Sequence, residues 1–227
     1  MTAAGGRDTV AGMKITVVPA IHLLHEAAHA TLATHSTQLA GYPYATALPC
    51  VVDAAQRPLF CVSLLAEHTK NLLADPRASL SVVGTENGSV QAGVRMTLIG
   101  DVERFEPSAE LLARYLRYQP DAKQYLELDF AFFRLQPKRI RYIGGPGKMG
   151  WIEDERWAGL PVLPEATEAD LLQQLAGSVP AGTHLLGMDC FGVDYAVNGR
   201  RARQRFPEVR SAENLAATAP RIVAGLL

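Results

Sequence analysis

Polar side chains gather where a strand-like run meets a helix-like run. Ser63 ends the first run, and His68, Thr69, Lys70 and Asn71 open the second. The first turn of a helix leaves backbone N–H groups unpaired and carries the positive end of the helix dipole. Such a junction favours an anion, typically a phosphate. A solvated helix cap needs the same polar residue types, and residue types alone favour that interpretation.

Two strands and one helix must position this junction. Residues 44–53 are apolar or small almost throughout, which is typical of a central strand buried on both faces. A turn cluster follows, and residues 59–64 return as a second strand. The helix is predicted to end at Asp75, because a residue that precedes proline is pushed out of the helical conformation.

Three histidines recur at helical spacing near the amino terminus. The predicted helix covers residues 19–31, and His22, His25 and His29 would share one of its faces. That geometry could hold a metal ion, but no Cys, Asp or Glu completes a known ligand pattern. A partly exposed polar face is the favoured interpretation, and no metal is expected.

An arginine stands in a clearly alternating strand, predicted over residues 90–105. Arg95 and Thr97 point to one face, and Met96 and Leu98 point to the other. A buried arginine needs an anionic or hydrogen-bonding partner. A structural ion pair and a contact to a ligand are equally compatible with this pattern.

Alternate arginines recur in a second strand near the carboxyl terminus. Arg201, Arg203 and Arg205 would share one strand face, after a hairpin that turns at Asn198-Gly199. These arginines could bind an acidic ligand or RNA. The favoured interpretation is an exposed edge strand that its charges protect from aggregation.

Composition narrows the class of protein. A net charge of -1 argues against a dedicated binder of nucleic acid or of anionic membranes. No apolar run is long enough to span a membrane, and the amino terminus lacks a secretory signal. Three cysteines without paired spacing indicate reduced core thiols, so a cytoplasmic protein is expected.

The element pattern predicts two units. At least six short strands, interrupted by helices, favour a small barrel followed by an α+β appendage. Residues 129–143 are predicted to form a hairpin that turns near Gln136-Pro137. Residues 144–151 are a glycine-rich segment that leaves backbone room for a planar ligand or a neighbouring chain, and a linker is the alternative interpretation. The predicted divisions are a flexible tail at 1–18, the barrel at 19–157 and the small domain at 165–227.

Six stretches together resemble one family. They are residues 41–49, 58–72, 74–80, 95–102, 129–130 and 143–151. In order and spacing they resemble the FMN-binding split-barrel flavoproteins, the pyridoxamine-5'-phosphate-oxidase-like group, and within it the haem-utilisation (HugZ-type) branch. Residues 165–227 resemble the small α/β domain that often follows this barrel.

The resemblance implies a fold, a cofactor and a partner. The implied fold is α+β, a six-stranded antiparallel split β-barrel with flanking helices and a small C-terminal α+β domain. The implied assembly is a homodimer with FMN at the subunit interface. The implied cofactor contacts are Tyr44, Ala45, Thr46, Ala47, Ser63, His68, Thr69, Lys70, Asn71, Arg95, Thr97 and Trp151.

Two departures from the family bear on function. The glycine-rich turn of the family carries an aromatic residue where Pro146 stands. The tail 216–227 lacks the histidine that HugZ-type proteins use as a haem ligand, although His184 could substitute. The first hypothesis is therefore an FMN-dependent oxidoreductase acting on a small molecule, with no catalytic side chain identified. Haem binding or degradation is the alternative, and a non-catalytic interaction module is the third hypothesis.

Overall fold

A computed structural model describes residues 17–84, 93–145 and 147–226 of the chain. Its α-helices are α1 (Val18–Glu26), α2 (Glu67–Ala74), α3 (Ala109–Tyr118), α4 (Asp154–Ala158), α5 (Glu165–Leu175) and α6 (Ala212–Ala224). Its strands are β1 (His29–His35), β2 (Pro43–Pro49), β3 (Val51–Val52), β4 (Pro58–Ser63), β5 (Arg77–Val83), β6 (Arg95–Phe105), β7 (Phe130–Ile143), β8 (Met149–Glu153), β9 (Thr183–Asp189), β10 (Gly192–Val197) and β11 (Arg200–Arg205). No helix in these ranges is long and apolar enough to cross a membrane.

The strands form two antiparallel sheets. The larger has the order β2-β1-β5-β6-β7-β4-β3, and β8 pairs with β7. The smaller has the order β11-β10-β9. This arrangement confirms the expected α+β class, a split barrel followed by a small α+β unit. The larger sheet has eight strands rather than six, because the short strands β3 and β8 join its edges.

Strand β6 confirms the alternation predicted from its sequence. Met96 and Leu98 are buried, while Arg95 and Thr97 lie on the opposite, more exposed face. Side chains of successive strand residues must point to opposite faces, so the apolar set defines the side that packs on the core. The first part of the predicted strand, 90–92, lies outside the described residues.

The prediction of a central strand at residues 44–53 was wrong. Strand β2 is the edge of the larger sheet and is paired on one side by β1. Its residues are mostly exposed, and β3 is a separate strand beside β4. Small and apolar residues suit a doubly buried strand, but they equally suit an edge whose outward side chains are small.

The predicted hairpin at residues 129–143 was also wrong, because β7 is one continuous strand. Pro137 sits opposite Gly100, where the pairing with β6 is irregular. A side chain at Gly100 would clash with the carbonyl oxygen of Gln136. The glycine therefore lets the proline-containing segment pack closely without breaking the strand.

The C-terminal hairpin was predicted correctly. Strands β10 and β11 are antiparallel and meet at Asn198 and Gly199, which both have positive φ angles, 50° and 75°. Asparagine and glycine tolerate the left-handed conformation that a tight two-residue hairpin requires. Local turn chemistry was sufficient to identify this element.

One hydrophobic core runs through both units. It includes Leu32 and Leu98 from the larger sheet, Val193 from the smaller sheet, and Leu215 from α6, all essentially inaccessible to solvent. Continuity of the core means that the second sheet is packed onto the barrel rather than tethered to it. The three cysteines are free thiols, and burial raises the pKa of Cys50 to about 12.

A buried ionic network reinforces this contact. His25 of α1 lies against Asp194 of β10 (Nδ1 to Oδ2, 2.7 Å) and Asp189 of β9 (Nε2 to Oδ2, 3.0 Å). Asp194 also accepts a hydrogen bond from the Tyr118 hydroxyl at 2.5 Å. His25 Nε2 also lies 2.7 Å from the Gln56 side-chain oxygen. Both ring nitrogens of His25 therefore face oxygen acceptors, and this arrangement favours the doubly protonated imidazolium.

The prediction that His22, His25 and His29 form a partly exposed polar helix face was wrong. His22 and His25 are buried, and His29 is not on the helix but begins β1. Burial, followed by the charge of Arg203, lowers the pKa of His22 to about 4, so that ring is neutral. The ring of His22 accepts a hydrogen bond from Arg203 (Nε to Nδ1, 3.1 Å). Among the described residues, no group of three or more His, Cys, Asp or Glu could hold a metal ion.

Strand β11 is the edge of the smaller sheet, as expected, but the interpretation of its arginines as a solvated face was wrong for Arg203. The side chain of Arg203 is 1% exposed and donates to Asp189 (2.9 Å) and Asp194 (2.6 Å). Arg205 is half exposed and pairs with Glu26 of α1 at 2.7 Å. The arginine face of β11 is therefore partly used in contacts with the barrel.

A second buried ion pair also joins the barrel to the C-terminal unit. Arg114 of α3 forms an ion pair with Glu168 of α5 and donates from Nε to the carbonyl of Val52 at 2.8 Å. Glu168 also accepts a hydrogen bond from the backbone N–H of Met188 at 2.8 Å. Each charge is thus satisfied by several partners, a condition that buried ions must meet to be tolerated.

The imidazolium of His25 predicts a stability that depends on pH. Burial and the charge of Arg203 lower its pKa, but Asp194 and Asp189 outweigh them, so the pKa lies above the usual 6.5. Its contribution to the free energy of unfolding is then complete below pH 6.5, and is lost as pH rises through the folded-state pKa. We expect His25→Gln to cost about 3–5 kcal/mol at pH 6, measured by urea unfolding.

The difference between wild type and His25→Gln should shrink as the pH is raised from 6 to 9.5. His29→Gln is the matched control, because His29 is exposed, and it should leave stability almost unchanged. A cost of His25→Gln that stays constant over this pH range would contradict the imidazolium assignment.

Candidate functional site

The start of α2 is built by the turn that leaves β4. The Ser63 carbonyl accepts a hydrogen bond from the Thr69 hydroxyl at 2.7 Å, and the Ser63 hydroxyl accepts from the Leu65 N–H at 3.1 Å. The N-cap residue, Ala66, provides no side-chain cap. The first N–H groups of α2 are therefore not capped by their own N-cap residue, which leaves the anion-binding interpretation open.

Asn71 has a structural role in this region. Its Oδ1 accepts from the backbone N–H and the hydroxyl of Thr37, at 2.8 and 2.9 Å. Its Nδ2 donates to the Thr34 hydroxyl at 3.0 Å, and the residue is fully buried. Asn71 therefore ties α2 to the end of β1, and its amide is already engaged within the chain.

Three other side chains of this turn have different surroundings. Lys70 is exposed. His68 is half-buried, and burial lowers its pKa, so it is neutral at pH 7. Within the described part of the chain, His68 Nε2 and Glu67 Oε1 are buried without a hydrogen-bond partner. Of the predicted contacts here, Lys70 has a side-chain group that is exposed to a ligand, and His68 has a buried nitrogen without a partner.

The face of the larger sheet that points away from its core, here called the outer face, carries mainly small side chains. Strand register aligns one row across six strands, and it consists of Ala47, Thr31, Ser81, Thr97, Arg141 and Trp151. The adjacent row consists of Ala45, Ala33, Ser79, Ile99, Arg139 and Glu153. Small side chains on neighbouring strands leave a surface with few protruding groups, bounded on one side by two arginines and an indole.

Trp151 and the two arginines form the charged border of the outer face. The guanidinium carbons of Arg139 and Arg141 lie 4.4 and 5.4 Å from the centroid of the Trp151 ring. Arg139 also donates to Glu153 at 2.9 Å. Among the described residues, Arg141 has no carboxylate partner within salt-bridge distance. Cation–π contacts hold the indole beside a positive charge that is open to an anion.

The predicted contacts are thus divided among three places. Ala45, Ala47, Arg95, Thr97 and Trp151 lie on strand positions of the outer face. The neighbours of the alanines on β2, Tyr44 and Thr46, point to the opposite side, where Thr46 is paired with the buried Leu32.

Ser63, His68, Thr69, Lys70 and Asn71 make up the α2 start described above. Pro146 lies outside the described residues. The role of each of these residues as a cofactor contact stays a prediction.

Two arginines of the site were not predicted. Arg139 and Arg141 alternate along β7, opposite a tryptophan on β8, but the expected hairpin near Pro137 hid this relation. Because β7 is one continuous strand, residues two apart point to the same face, and both guanidiniums therefore reach the outer face. Arg95, which was predicted, donates weakly to the Gly93 carbonyl at 3.4 Å.

Comparison with known proteins gives a consistent picture. Residues 14–159 match the family described as CREG, beta-barrel. The chain is 36% identical over 116 residues to a chloroplastic haem oxygenase, HOZ, of Arabidopsis thaliana; this match covers 50% of the chain and 36% of that protein. The chain thus spans about a third of the length of that curated relative.

Two solved structures resemble nearly the whole chain. A haem-binding protein from Mycobacterium smegmatis is 27% identical, with a TM-score of 0.59 over 94% of this chain and 98% of its own. A protein of unknown function from Agrobacterium tumefaciens is 26% identical, with a TM-score of 0.67 over 91% and 94%. The split-barrel resemblance inferred from the sequence is therefore confirmed.

The contacts at the start of α2 predict opposite outcomes for two neighbouring substitutions. Asn71→Ala should lower the free energy of unfolding by about 1–3 kcal/mol, because it leaves buried donors and acceptors without partners. Lys70→Ala should change that free energy by less than about 0.5 kcal/mol, because Lys70 is exposed. Urea unfolding of both variants checks this, and equal losses would show that Asn71 is not the structural member of the pair.

Proposed function

The chain belongs to the CREG β-barrel family, and from that premise we propose that it is a haem-binding protein, with haem held on the outer face. The observation that carries the proposal is the row of small side chains on the outer face beside Arg141 and Trp151. A planar macrocycle can lie on such a surface, and its propionates are carboxylates that arginine binds well.

The outer face carries groups of the kinds that bind haem, namely arginines, an indole and an imidazole. Arg141, assisted by Arg139, would hold the propionates, and Trp151 would contact the ring edge. His35 is exposed and, together with Ala33, Ser79 and Ile99, lines a groove of about 460 Å³ on this face. Its imidazole is the side chain that we propose as an iron ligand. Bound haem would supply redox-active iron for reactions with oxygen.

Relatives support this proposal over the other cofactor. One is described as a haem oxygenase and another as a haem-binding protein. The FMN hypothesis relies on a phosphate cradle in which Thr69 and Asn71 already bond within the chain. We therefore rank haem first and FMN second.

A homodimer belongs to the same proposal. The outer face leaves Ile99 43%, Met149 46% and Trp151 42% exposed, which is unusual for large apolar side chains on one sheet. A second copy on this face would cover them and exclude water from a planar cofactor. The small-molecule substrate that was expected from the sequence also stays a prediction.

Titration with haemin tests the proposal. We expect a Soret band to develop as the purified chain takes up haemin, with affinity lowered roughly tenfold in Arg141→Ala because a charge-assisted contact is lost. His35→Ala should shift the band, because it changes the iron ligand.

Arg221→Ala, an exposed arginine on α6, is the matched control and should bind haemin normally. The absence of a Soret band in the wild type would contradict haem binding. A band whose position and affinity are the same in wild type, Arg141→Ala and His35→Ala would exclude this site.

An FMN-dependent oxidoreductase is the second candidate, favoured by the uncapped start of α2 with Lys70 exposed beside it. There the helix dipole and an ammonium group would hold the phosphate, and FMN would supply the redox chemistry. Lys70→Ala should weaken FMN binding by about 1–3 kcal/mol in a fluorescence titration. Lys123→Ala, also an exposed lysine, should not weaken it. A colourless protein that also takes up no added FMN would end this candidate.

A further inference from the structure

A cavity of about 770 Å³ lies between the barrel and the C-terminal unit. Its walls come from one face of α1, from the ends of β5 and β6, from Tyr142 of β7 and from β11. That volume is in the range of about 300–1,000 Å³ typical of small-molecule sites, which often form where two units meet. None of its lining residues is among those of the proposed haem site or the start of α2, so the inference does not depend on the proposed haem function.

The cavity lining combines apolar and basic side chains. Leu23, Val94 and Tyr142 supply apolar surface. Arg201, Arg205 and His29 also line the cavity, together with a single acidic residue, Glu26. Such a lining complements a ligand that has an apolar body and an acidic group.

The charges around the cavity leave one arginine without an acidic partner. Arg205 is neutralised by Glu26 at 2.7 Å, and Arg203 is neutralised by the two buried aspartates. Arg201 donates to two carbonyls, of Ala27 at 3.2 Å and of Tyr118 at 3.3 Å. Neither carbonyl carries a formal charge, so within the described residues the positive charge of Arg201 has no carboxylate counterion.

Arg201 is also held in a fixed position. Its guanidinium carbon lies 4.8 Å from the centroid of the Tyr118 ring, in addition to the two hydrogen bonds. A guanidinium has five N–H donors, so these two contacts leave donors for an acidic ligand. A cation that is already ordered loses little conformational freedom on binding.

From this geometry we infer that the inter-unit cavity binds a small organic monoanion with an apolar body, such as an aromatic or short-chain carboxylic acid. The apolar body packs against Leu23, Val94 and Tyr142, and the acidic group pairs with Arg201. One anionic group matches the one charge that lacks a counterion.

Two fluorescent probes that differ by one charge test the inference. The first is 1-anilinonaphthalene-8-sulfonate, and the second is N-phenyl-1-naphthylamine, which lacks the sulfonate. In Arg201→Gln we expect the affinity for the sulfonate to fall roughly tenfold, because a charge-assisted contact is lost. The affinity for the uncharged probe should change by less than about twofold, because apolar packing does not depend on that charge. Arg201→Lys keeps the charge and should retain most of the sulfonate affinity.

A second variant tests the location without removing a charge. Ala28, half-buried on the cavity wall, can be replaced by Phe to fill part of the space. Ala28→Phe should weaken both probes, whereas Arg139→Gln on the outer face should weaken neither.

Equal changes for the two probes in Arg201→Gln would overturn the charge assignment, as would a loss in Arg201→Lys as large as in Arg201→Gln. Weakening by Arg139→Gln but not by Ala28→Phe would assign the probes to the outer face and overturn the inference. Circular dichroism of each variant confirms that it is folded before its affinity is compared.

Discussion

The pairing of His25 with two buried carboxylates is the constraint on which the rest of this structure depends. Asp189 and Asp194 belong to the small sheet, His25 belongs to the first helix, and Arg203 completes the charge balance. Removing any one partner would leave a charge buried without compensation, which costs far more than the net contribution of the intact network. The network therefore acts as a specificity device. It fixes how the C-terminal unit sits on the barrel, while apolar burial supplies most of the stability.

That fixed contact determines which surfaces remain for function. Within β11, Arg203 is buried in this contact and the half-exposed Arg205 pairs with Glu26 of α1. The inter-unit cavity exists because α1 and β11 meet at their charged ends but leave space beside the ends of β5 and β6. On the barrel, the outer face carries mainly small side chains, and Arg139, Arg141 and Trp151 form a charged border at one side of it.

Haem and FMN require similar features of a binding site. Both are planar and anionic, and both need an apolar support with a basic contact at the edge. They differ in the position and geometry of the acidic group, a phosphate at a helix start or carboxylates beside arginine side chains. In this chain the arginine border is fully formed, whereas two of the predicted phosphate-cradle side chains are engaged in structural hydrogen bonds. This difference in side-chain availability, together with the relatives, is why haem ranks ahead of FMN.

The sequence by itself determined the features that depend on local patterns. Alternation identified the two faces of β6, and Asn198-Gly199 identified the C-terminal hairpin. The order and spacing of six sequence stretches identified the split barrel, because members of that family share those stretches in that order. Tertiary structure alone decided the rest. The continuity of β7 depends on Gly100 of a neighbouring strand, and the burial of His25 depends on carboxylates about 170 residues away in the chain. Periodicity reports which residues share a face, but the partner that covers the face comes from elsewhere in the chain.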